Sequence, residues 1–279
     1  MPVSVKDRVG CDVPVAPSRI HAYRNQLRAE LETPPAGIAA DELDAHFNGM
    51  PDRYWERLTE SELIWGLNMI HCFLEKLAAP EGAVTTPVVG WRHFPARGFS
   101  KVMLCTWDRY GLLAKAAAAF SSVGVNIIQA DVYTRADHVV LDVFRVCDAQ
   151  RRPIRDRALF HQMLFLLEGA LSDPPRFASM WAGNHKIPPD TALPPKVSFD
   201  NLSVPGYTVM TVEASDRLGL LHDILRALAD CALDVAQALI DTSDQVARDI
   251  FHITDLNGSP IAHQSQIGFI RDRVLAAIA

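Results

Sequence analysis

The chain has 279 residues, of which 49% are hydrophobic and 22% are charged, the balance of a folded protein of about two domains, which excludes disorder as the dominant state. The formal net charge of −6 disfavours a nucleic acid partner, because surfaces that bind a phosphate backbone are rich in Lys and Arg. The sequence shows neither a run of about 18 uncharged apolar residues nor the apolar core of a signal peptide, so we expect a cytoplasmic protein without a membrane span.

Residues 1–82 are predicted to form a helical region without chemistry-bearing motifs. Apolar residues at helical spacing predict one helix over 18–32, and Leu43 and Phe47 indicate a second, short one. The string Thr-Glu-Ser-Glu at 59–62 is a capping box, in which the first and last side chains each bond to the other residue's backbone N–H, so it predicts the start of a longer helix.

The rest of the chain contains an internal repeat. The string Asp-Arg-Tyr-Gly-Leu-Leu at 108–113 returns as Asp-Arg-Leu-Gly-Leu-Leu at 216–221, which is 108 residues later. After one deletion, Asp-Val-Phe-Arg-Val-Cys-Asp at 142–148 matches Asp-Ile-Phe-His-Ile-Thr-Asp at 249–255. Two copies of one module are therefore predicted.

Each copy is predicted to contain a strand, a turn, a helix, a hairpin of two strands and a second helix. The predicted strands cover 100–106, 125–134 and 139–147 in the first copy and 208–214, 233–242 and 247–254 in the second. The predicted helices lie near 111–123 and 155–171, and near 219–231 and 264–278. A sheet with both helices on one face is the ferredoxin-like form of an α+β fold.

A ferredoxin-like sheet has four strands, and the order above supplies three. Segments of alternating polarity at 88–94 and 196–201 precede the other elements and share the same 108-residue offset. We therefore predict that the fourth strand comes first, which gives the order ββαββα. The predicted organisation is a helical region at 1–82, a first module at 83–173, a proline-rich linker at 174–195 and a second module at 196–279.

The Asp-Arg-x-Gly segment of each copy is the candidate binding loop. It ends a strand and opens a helix, where backbone N–H groups and the positive end of the helix dipole attract a carboxylate. Its Gly lets a ligand approach the backbone, and its Asp can accept from an ammonium group or cap the helix. The candidate ligand-binding residues are Asp108, Arg109, Gly111, Leu112 and Asn126 in the first copy, and Asp216, Arg217, Gly219 and Leu220 in the second.

The residue after the first helix distinguishes the two copies. Asn126 could serve both charges of an amino acid, whereas its equivalent Asp234 cannot donate a hydrogen bond when it is ionised. The first copy is therefore the better candidate, and we expect Asn126 to lie opposite its loop. The same residues would also suit a turn with a helix cap and a strand start, and this structural interpretation stays open.

These motifs, in this order, resemble a tandem pair of ACT domains. The string at 46–55, followed by the capping box at 59–62, is similar to the helical stretch before the ACT domains of the protein-PII uridylyltransferase/uridylyl-removing enzyme family. The resemblance covers about residues 40–279. It implies two ferredoxin-like ACT modules in an α+β fold, and a role in sensing glutamine to control catalytic domains.

The catalytic motifs of that family are not found in this sequence. Phosphoryl transfer needs a phosphate-holding Gly-rich loop and paired metal-binding Asp residues, and neither pattern occurs. His222-Asp223 spells the HD pair of a phosphohydrolase, but it falls in the first turn of a predicted helix without further ligands. The five cysteines are odd in number and include no Cys-x-x-Cys, so free thiols are expected. We expect no catalytic residue, metal or cofactor.

Three functions remain open from the sequence. The first is a non-catalytic regulatory protein that binds a small amino acid, with glutamine implied by the resemblance. The second is a divergent relative or regulatory subunit of a protein-PII uridylyltransferase, with a PII-type signalling protein as partner. The third is a ligand-free oligomerisation scaffold. Because each module has edge strands with unpaired backbone groups, we expect the modules to pair, within one chain or in a homodimer, with amino-acid sites at the seam.

Overall fold

The computed structural model describes residues 24–25, 27–29, 37–78, 87–109, 111–148, 150–171, 193–217, 219–243 and 246–279. The chain divides into two compact units, Met1–Asn68 and Met69–Ala279. The predicted turn at 244–245, Cys11, most of the predicted helix over 18–32 and most of the predicted linker lie outside the described residues.

The described residues of the first unit are mostly helical, as predicted. It contains α1 (Ala40–Gly49), α2 (Asp52–Arg57) and the start of α3 (Glu60–Ala78). One bond of the capping box forms at the start of α3, where the Thr59 N–H donates to Glu62 Oε2 at 3.0 Å, while the Glu62 N–H donates to the Thr59 carbonyl at 2.8 Å. Phe47 stacks on Trp55 with ring centroids 4.8 Å apart, which places the apolar faces of α1 and α2 against each other.

The second unit contains both modules in the predicted ββαββα order. The first module has β1 (Val88–Phe94), β2 (Phe99–Trp107), α4 (Leu112–Ser122), β3 (Asn126–Thr134), β4 (Val139–Cys147) and α5 (Arg157–Ala170). The second has β5 (Lys196–Asp200), β6 (Thr208–Ser215), α6 (Leu220–Asp230), β7 (Leu233–Ser243), β8 (Val246–Asp255) and α7 (Gln264–Ile278). The leading strand of each module, β1 and β5, confirms the permuted order.

All eight strands form one antiparallel sheet in the order β1-β2-β4-β3-β7-β8-β6-β5. The modules meet where β3 pairs with β7, with Ala130 opposite Ala238 at the centre of the contact. These two alanines are equivalent in the repeat, so a pseudo-two-fold axis passes between them. The expectation that the two modules of one chain pair side by side is confirmed.

The helices cover one face of this sheet. α4 packs against α5 and α6, and α6 packs against α7. The core between the helices and the sheet is continuous across both modules, and it includes Val102 and Phe144 of the first and Met210 and Phe251 of the second. The two Asp-Arg-x-Gly loops therefore connect elements of one continuous core.

The opposite face differs between the modules. In the first, Met103 and Leu141 are buried, and Phe73 of α3 contacts Trp107 edge to face with ring centroids 5.6 Å apart. In the second, the same face carries a partly exposed charge ladder in which Glu213 lies 3.3 Å from Arg248. The pseudo-symmetry thus holds for the helix-covered face, and α3 breaks it on the other.

Candidate functional site

The first Asp-Arg-x-Gly loop connects the end of β2 to the start of α4. Gly111 is the N-cap of α4 and has a left-handed φ of 68°, a conformation that glycine adopts without the steric cost of a side chain. A Cβ at Gly111 would meet no other atom within 4 Å. The Asp108 N–H donates to the His138 carbonyl at 2.9 Å, which fixes the loop to the β3–β4 turn. The loop is anchored, and the space above its glycine is open.

The two leucines that follow the glycines lie in the core. Leu112 and Leu220 are buried, and each N–H donates at 3.1 Å to the carbonyl of the loop arginine, Arg109 or Arg217. The side chains of these leucines therefore hold the helix on the sheet. Only their backbone lies along the loop, where a ligand would approach.

The two arginines of the motif are engaged within their own modules. The Arg109 guanidinium donates to the Leu171 carbonyl at the end of α5, and to Thr106 Oγ1 at 3.2 Å. Arg217 forms a largely buried ion pair with Asp223 at 2.7 Å. These contacts tie each loop to a helix of its module.

The ion pair of the second loop also explains the His222-Asp223 string. Burial by itself would raise the pKa of Asp223, but the hydrogen bonds from His222 and Arg217 outweigh it and lower that pKa. The histidine nitrogen Nδ1 lies 3.4 Å from Asp223 Oδ1. Within the described ranges, no group of three His, Cys, Asp or Glu residues has the arrangement of a metal site.

Asp234, an exposed residue near the start of β7 in the other module, is the acid whose pKa responds to the charge of Asp108. Partial burial raises the pKa of Asp234, and the negative charge of Asp108 raises it further. Asn126, which was expected opposite Asp108, begins β3 and donates from Nδ2 to the Asp148 carbonyl at 3.4 Å. Because β3 and β7 are antiparallel, the start of β7 lies beside the end of β3, and the first loop is bonded to the turn that follows β3. The candidate site therefore combines residues of both modules.

The pseudo-two-fold axis relates this arrangement to the second loop. It exchanges Asp108 with Asp216 and Asp234 with Asn126, because both pairs of positions are equivalent in the repeat. Gly219 matches Gly111 as a left-handed N-cap, with a φ of 83°. The two candidate sites thus share their backbone geometry and differ in the residue across the seam, an aspartate for the first loop and an asparagine for the second.

Two features of this region were missed from the sequence. At the seam, Asp131 is buried and accepts hydrogen bonds from Gln237 Nε2 at 2.8 Å and Gln129 Nε2 at 2.5 Å. On β8, Asp249 is 1% exposed. The repeat offered a signal for both, because Gln129 matches Gln237 and the Asp of Asp-x-Phe recurs as Asp142 and Asp249.

The sequence comparisons agree with the expected resemblance. Residues 203–278 match the family model for the ACR family N-terminal ACT domain. The bifunctional uridylyltransferase/uridylyl-removing enzyme of Rhodospirillum rubrum is 28% identical over 264 residues, which cover 93% of this chain and 27% of that protein. Those of Azospirillum brasilense and Bradyrhizobium sp. strain ORS 278 are 30% and 32% identical, over 66% of this chain and 20% of each relative. The similarity to ACT domains and to one region of these enzymes is confirmed.

The extent of the matches and the solved structures add two facts. The chain spans about a quarter to a fifth of the length of the curated relatives it matches. The match to the crystal structure of aspartate kinase from Synechocystis covers 57% of this chain and 24% of that chain, with 19% identity and a TM-score of 0.32. This similarity is too weak to bear on function. Within the described ranges, no helix combines the length and apolarity needed to cross a membrane.

Proposed function

We propose that this tandem-ACT chain is a non-catalytic regulatory protein that binds a small amino acid between the loop of one module and the strand start of the other. The observation that carries the proposal is the antiparallel pairing of β3 with β7, which puts the start of β7, with Asp234, at the end of the sheet where the first loop lies. A Cβ at Gly111 of that loop would meet no other atom within 4 Å. The charge of Asp108 raises the pKa of Asp234, so the two carboxylates repel, and a ligand ammonium group between them removes that repulsion.

The rest of the loop suits the other charge of an amino acid. The first turn of α4 directs backbone N–H groups and the positive end of its dipole toward the loop. A ligand carboxylate would bind there, close to Gly111, while its ammonium group faces Asp108 and Asp234. The site therefore fits the zwitterion shared by all amino acids.

Glutamine is the ligand we propose first, and its support is the resemblance to the uridylyltransferase family alone. A PII-type signalling protein is the partner that the same resemblance suggests. A homodimer would use an edge strand of the sheet, which is β1 or β5. β1 is the better candidate, because on β5 the Val197 carbonyl already accepts a hydrogen bond from Arg271 Nε at 3.3 Å. The unpaired thiols of Cys72, Cys105, Cys147 and Cys231 suit a reducing cytoplasm.

The proposal is tested by a thermal-shift screen with the twenty amino acids, followed by calorimetry on any that stabilise the protein. We expect stabilisation at millimolar concentration, and a loss of at least tenfold in affinity in the Asp108→Asn and Asp234→Asn variants. Asp272→Asn, an exposed change on α7, is the matched control. If no amino acid stabilises the wild-type protein, the ligand-free scaffold is the better interpretation. Transfer of a labelled uridylyl group from UTP to a PII protein, with release of pyrophosphate, would instead support the enzymatic alternative.

A further inference from the structure

A row of basic side chains crosses the first module on the sheet face opposite its two helices. Arg92 of β1 stands opposite Lys101 of β2, which in turn stands opposite Arg145 of β4. Their chain neighbours Val102 and Phe144 belong to the core beneath the helices, so the three basic side chains share the other face. Like charges that stand directly opposite each other destabilise a sheet. This basic row therefore carries an energetic cost in the isolated chain.

The second module does not repeat the basic row. Its equivalent positions hold Asp200 opposite Val209, and Val209 opposite His252. One acid, one apolar residue and one histidine thus occupy the places of three bases, although the strands pair in the same way. The fold forms without this concentration of positive charge, so the charge of the first module calls for a reason other than the architecture of the sheet.

Aromatic rings lie along one side of the basic row. The guanidinium carbon of Arg145 is 5.3 Å from the centre of the Phe99 ring, and the ammonium nitrogen of Lys101 is 5.7 Å from that of Phe94. The acid nearest to the row in the strand register on this face is Asp131, diagonal to Arg145, and its carboxylate accepts hydrogen bonds from two glutamine side chains. Aromatic faces attract cations and orient them, but they do not neutralise the charge.

The ends of the basic row are accessible and its centre is not. Arg92 is exposed and Arg145 is half-buried, whereas Lys101 is 3% exposed. Lys101 therefore adds its charge from below, and the two arginines present hydrogen-bond donors at the surface. The guanidinium group of arginine pairs with a carboxylate through two parallel hydrogen bonds.

We propose that the basic row docks an acidic α-helix of a partner protein, which lies across the strands of the first module. Small-molecule sites are concave, whereas the face of a sheet is open and suits a protein segment. Neighbouring strands are about 4.8 Å apart, and carboxylates three or four residues apart on a helix are separated by about 5 to 6 Å. One acidic stripe of a helix can therefore reach successive members of the row.

The same face of the first module already accepts a helix. Phe73 of α3 contacts Trp107 at one end of β2, and Lys101 lies six residues away on that strand, a distance of about 20 Å. The basic row thus continues a surface on which a helix packs. The formal net charge of −6 makes an acidic helix a better occupant than a nucleic acid, which favours proteins that are basic overall.

Fluorescence anisotropy of a labelled peptide with the full chain tests the inference. The probe is an alanine-rich helical peptide with Glu at positions i, i+4 and i+7, and its control carries Gln at the same positions. We expect saturable binding of the Glu peptide that weakens as the salt concentration rises from about 50 to about 500 mM. The double variant Arg92→Gln/Arg145→Gln should bind it about tenfold more weakly or worse. Arg226→Gln/Arg273→Gln, on the helices α6 and α7, makes the same change in net charge and should bind like wild type.

Several results would overturn the inference. Equal binding of the Glu and Gln peptides, or equal binding by wild type and by Arg92→Gln/Arg145→Gln, would show that the basic row does not dock an acidic helix. Vesicles of phosphatidylserine and phosphatidylcholine provide the comparison with a membrane, and binding to them alone, lost in the same double variant, would make a lipid surface the occupant. A wild-type dimer in sedimentation that the double variant abolishes would make it a second copy of this chain.

A second measurement needs no peptide. Urea denaturation compares Arg92→Gln/Arg145→Gln with the control double variant at low and at high salt. Because repulsion within the basic row is screened by salt, we expect the stability of the row variant relative to the control to be highest at low salt and to fall as salt is added. A difference that salt does not change would mean that the row is neutralised within the chain, which overturns the inference. Both measurements are made without amino acids, so their outcome is independent of the proposed function.

Discussion

Replacing Asp249 by Asn should make the protein more stable, and increasingly so as the pH rises from 5 to 7. The substitution keeps the shape of the side chain and removes the titration. The size of the expected stabilisation follows from the difference between the folded-state pKa of Asp249, about 8, and the ordinary value of 3.8. At about 1.4 kcal/mol per unit, the full difference corresponds to roughly 6 kcal/mol.

The sign follows from proton binding. Between pH 4 and 8 the unfolded chain has lost the Asp249 proton, whereas the folded chain retains it. Raising the pH therefore favours the unfolded state, and this one group lowers the free energy of unfolding by about 1.4 kcal/mol per pH unit. The loss begins near the unfolded pKa of 3.8 and ends near the folded pKa of about 8.

Urea denaturation of the wild-type protein and of Asp249→Asn at pH 5, 6 and 7 measures this directly. We expect the difference in free energy of unfolding to shift by about 3 kcal/mol in favour of the variant between pH 5 and 7. The change with pH is the decisive quantity, because a constant offset would report only the hydrogen bonds of the new amide. Asp272→Asn is the control and should show no such change. Parallel curves for Asp249→Asn and wild type would refute the buried, protonated state of Asp249.

Three further predictions concern the loops and the seam. Gly111→Ala should lower the free energy of unfolding by about 1 kcal/mol because of the left-handed φ at this position. Gly111→Val should also weaken amino-acid binding at least tenfold in calorimetry. Unchanged binding would place the site elsewhere. Arg109→Met should lower the free energy of unfolding by about 1 to 3 kcal/mol in urea with little change in affinity, because its contacts are within the module; a selective loss of affinity would contradict this. Asp131→Ala should lower the free energy of unfolding by about 2 kcal/mol or more, because it leaves the side-chain amide of Gln237 without its acceptor. Asp272→Asn again serves as the control. An unchanged denaturation midpoint would contradict the role of this hydrogen bond at the seam.

The sequence alone predicted the architecture of each module. The repeat defined two equal units, and alternation at 88–94 and 196–201 placed a strand before each Asp-Arg-x-Gly loop, as the structure confirms for β1 and β5. These features are local, because a strand or helix shows its buried face in residues two, three or four positions apart. The capping box at the start of α3 is of the same kind.

The tertiary structure decided which residues meet across the modules. Asp108 and Asn126 were expected to face each other. Instead, the start of β7, with Asp234, lies at the end of the sheet that carries Asp108, and Asn126 bonds to the Asp148 carbonyl. The cause is the pairing of β3 with β7, which is centred on Ala130 and Ala238. Several edges of two equivalent sheets could pair, and the choice depends on contacts between residues about 108 positions apart, which periodicity along the chain does not report.

The chemistry of individual acids was likewise set by tertiary structure. Asp249 and Asp216 are both aspartates of the repeated motifs, yet only the folded chain shows that Asp249 is buried between the sheet and the helices and that the charge of Asp216 raises its pKa. An ionisable group acquires its pKa from the water it loses and the charges it gains. Both quantities exist only once β6, β7 and β8 have come together beneath α6.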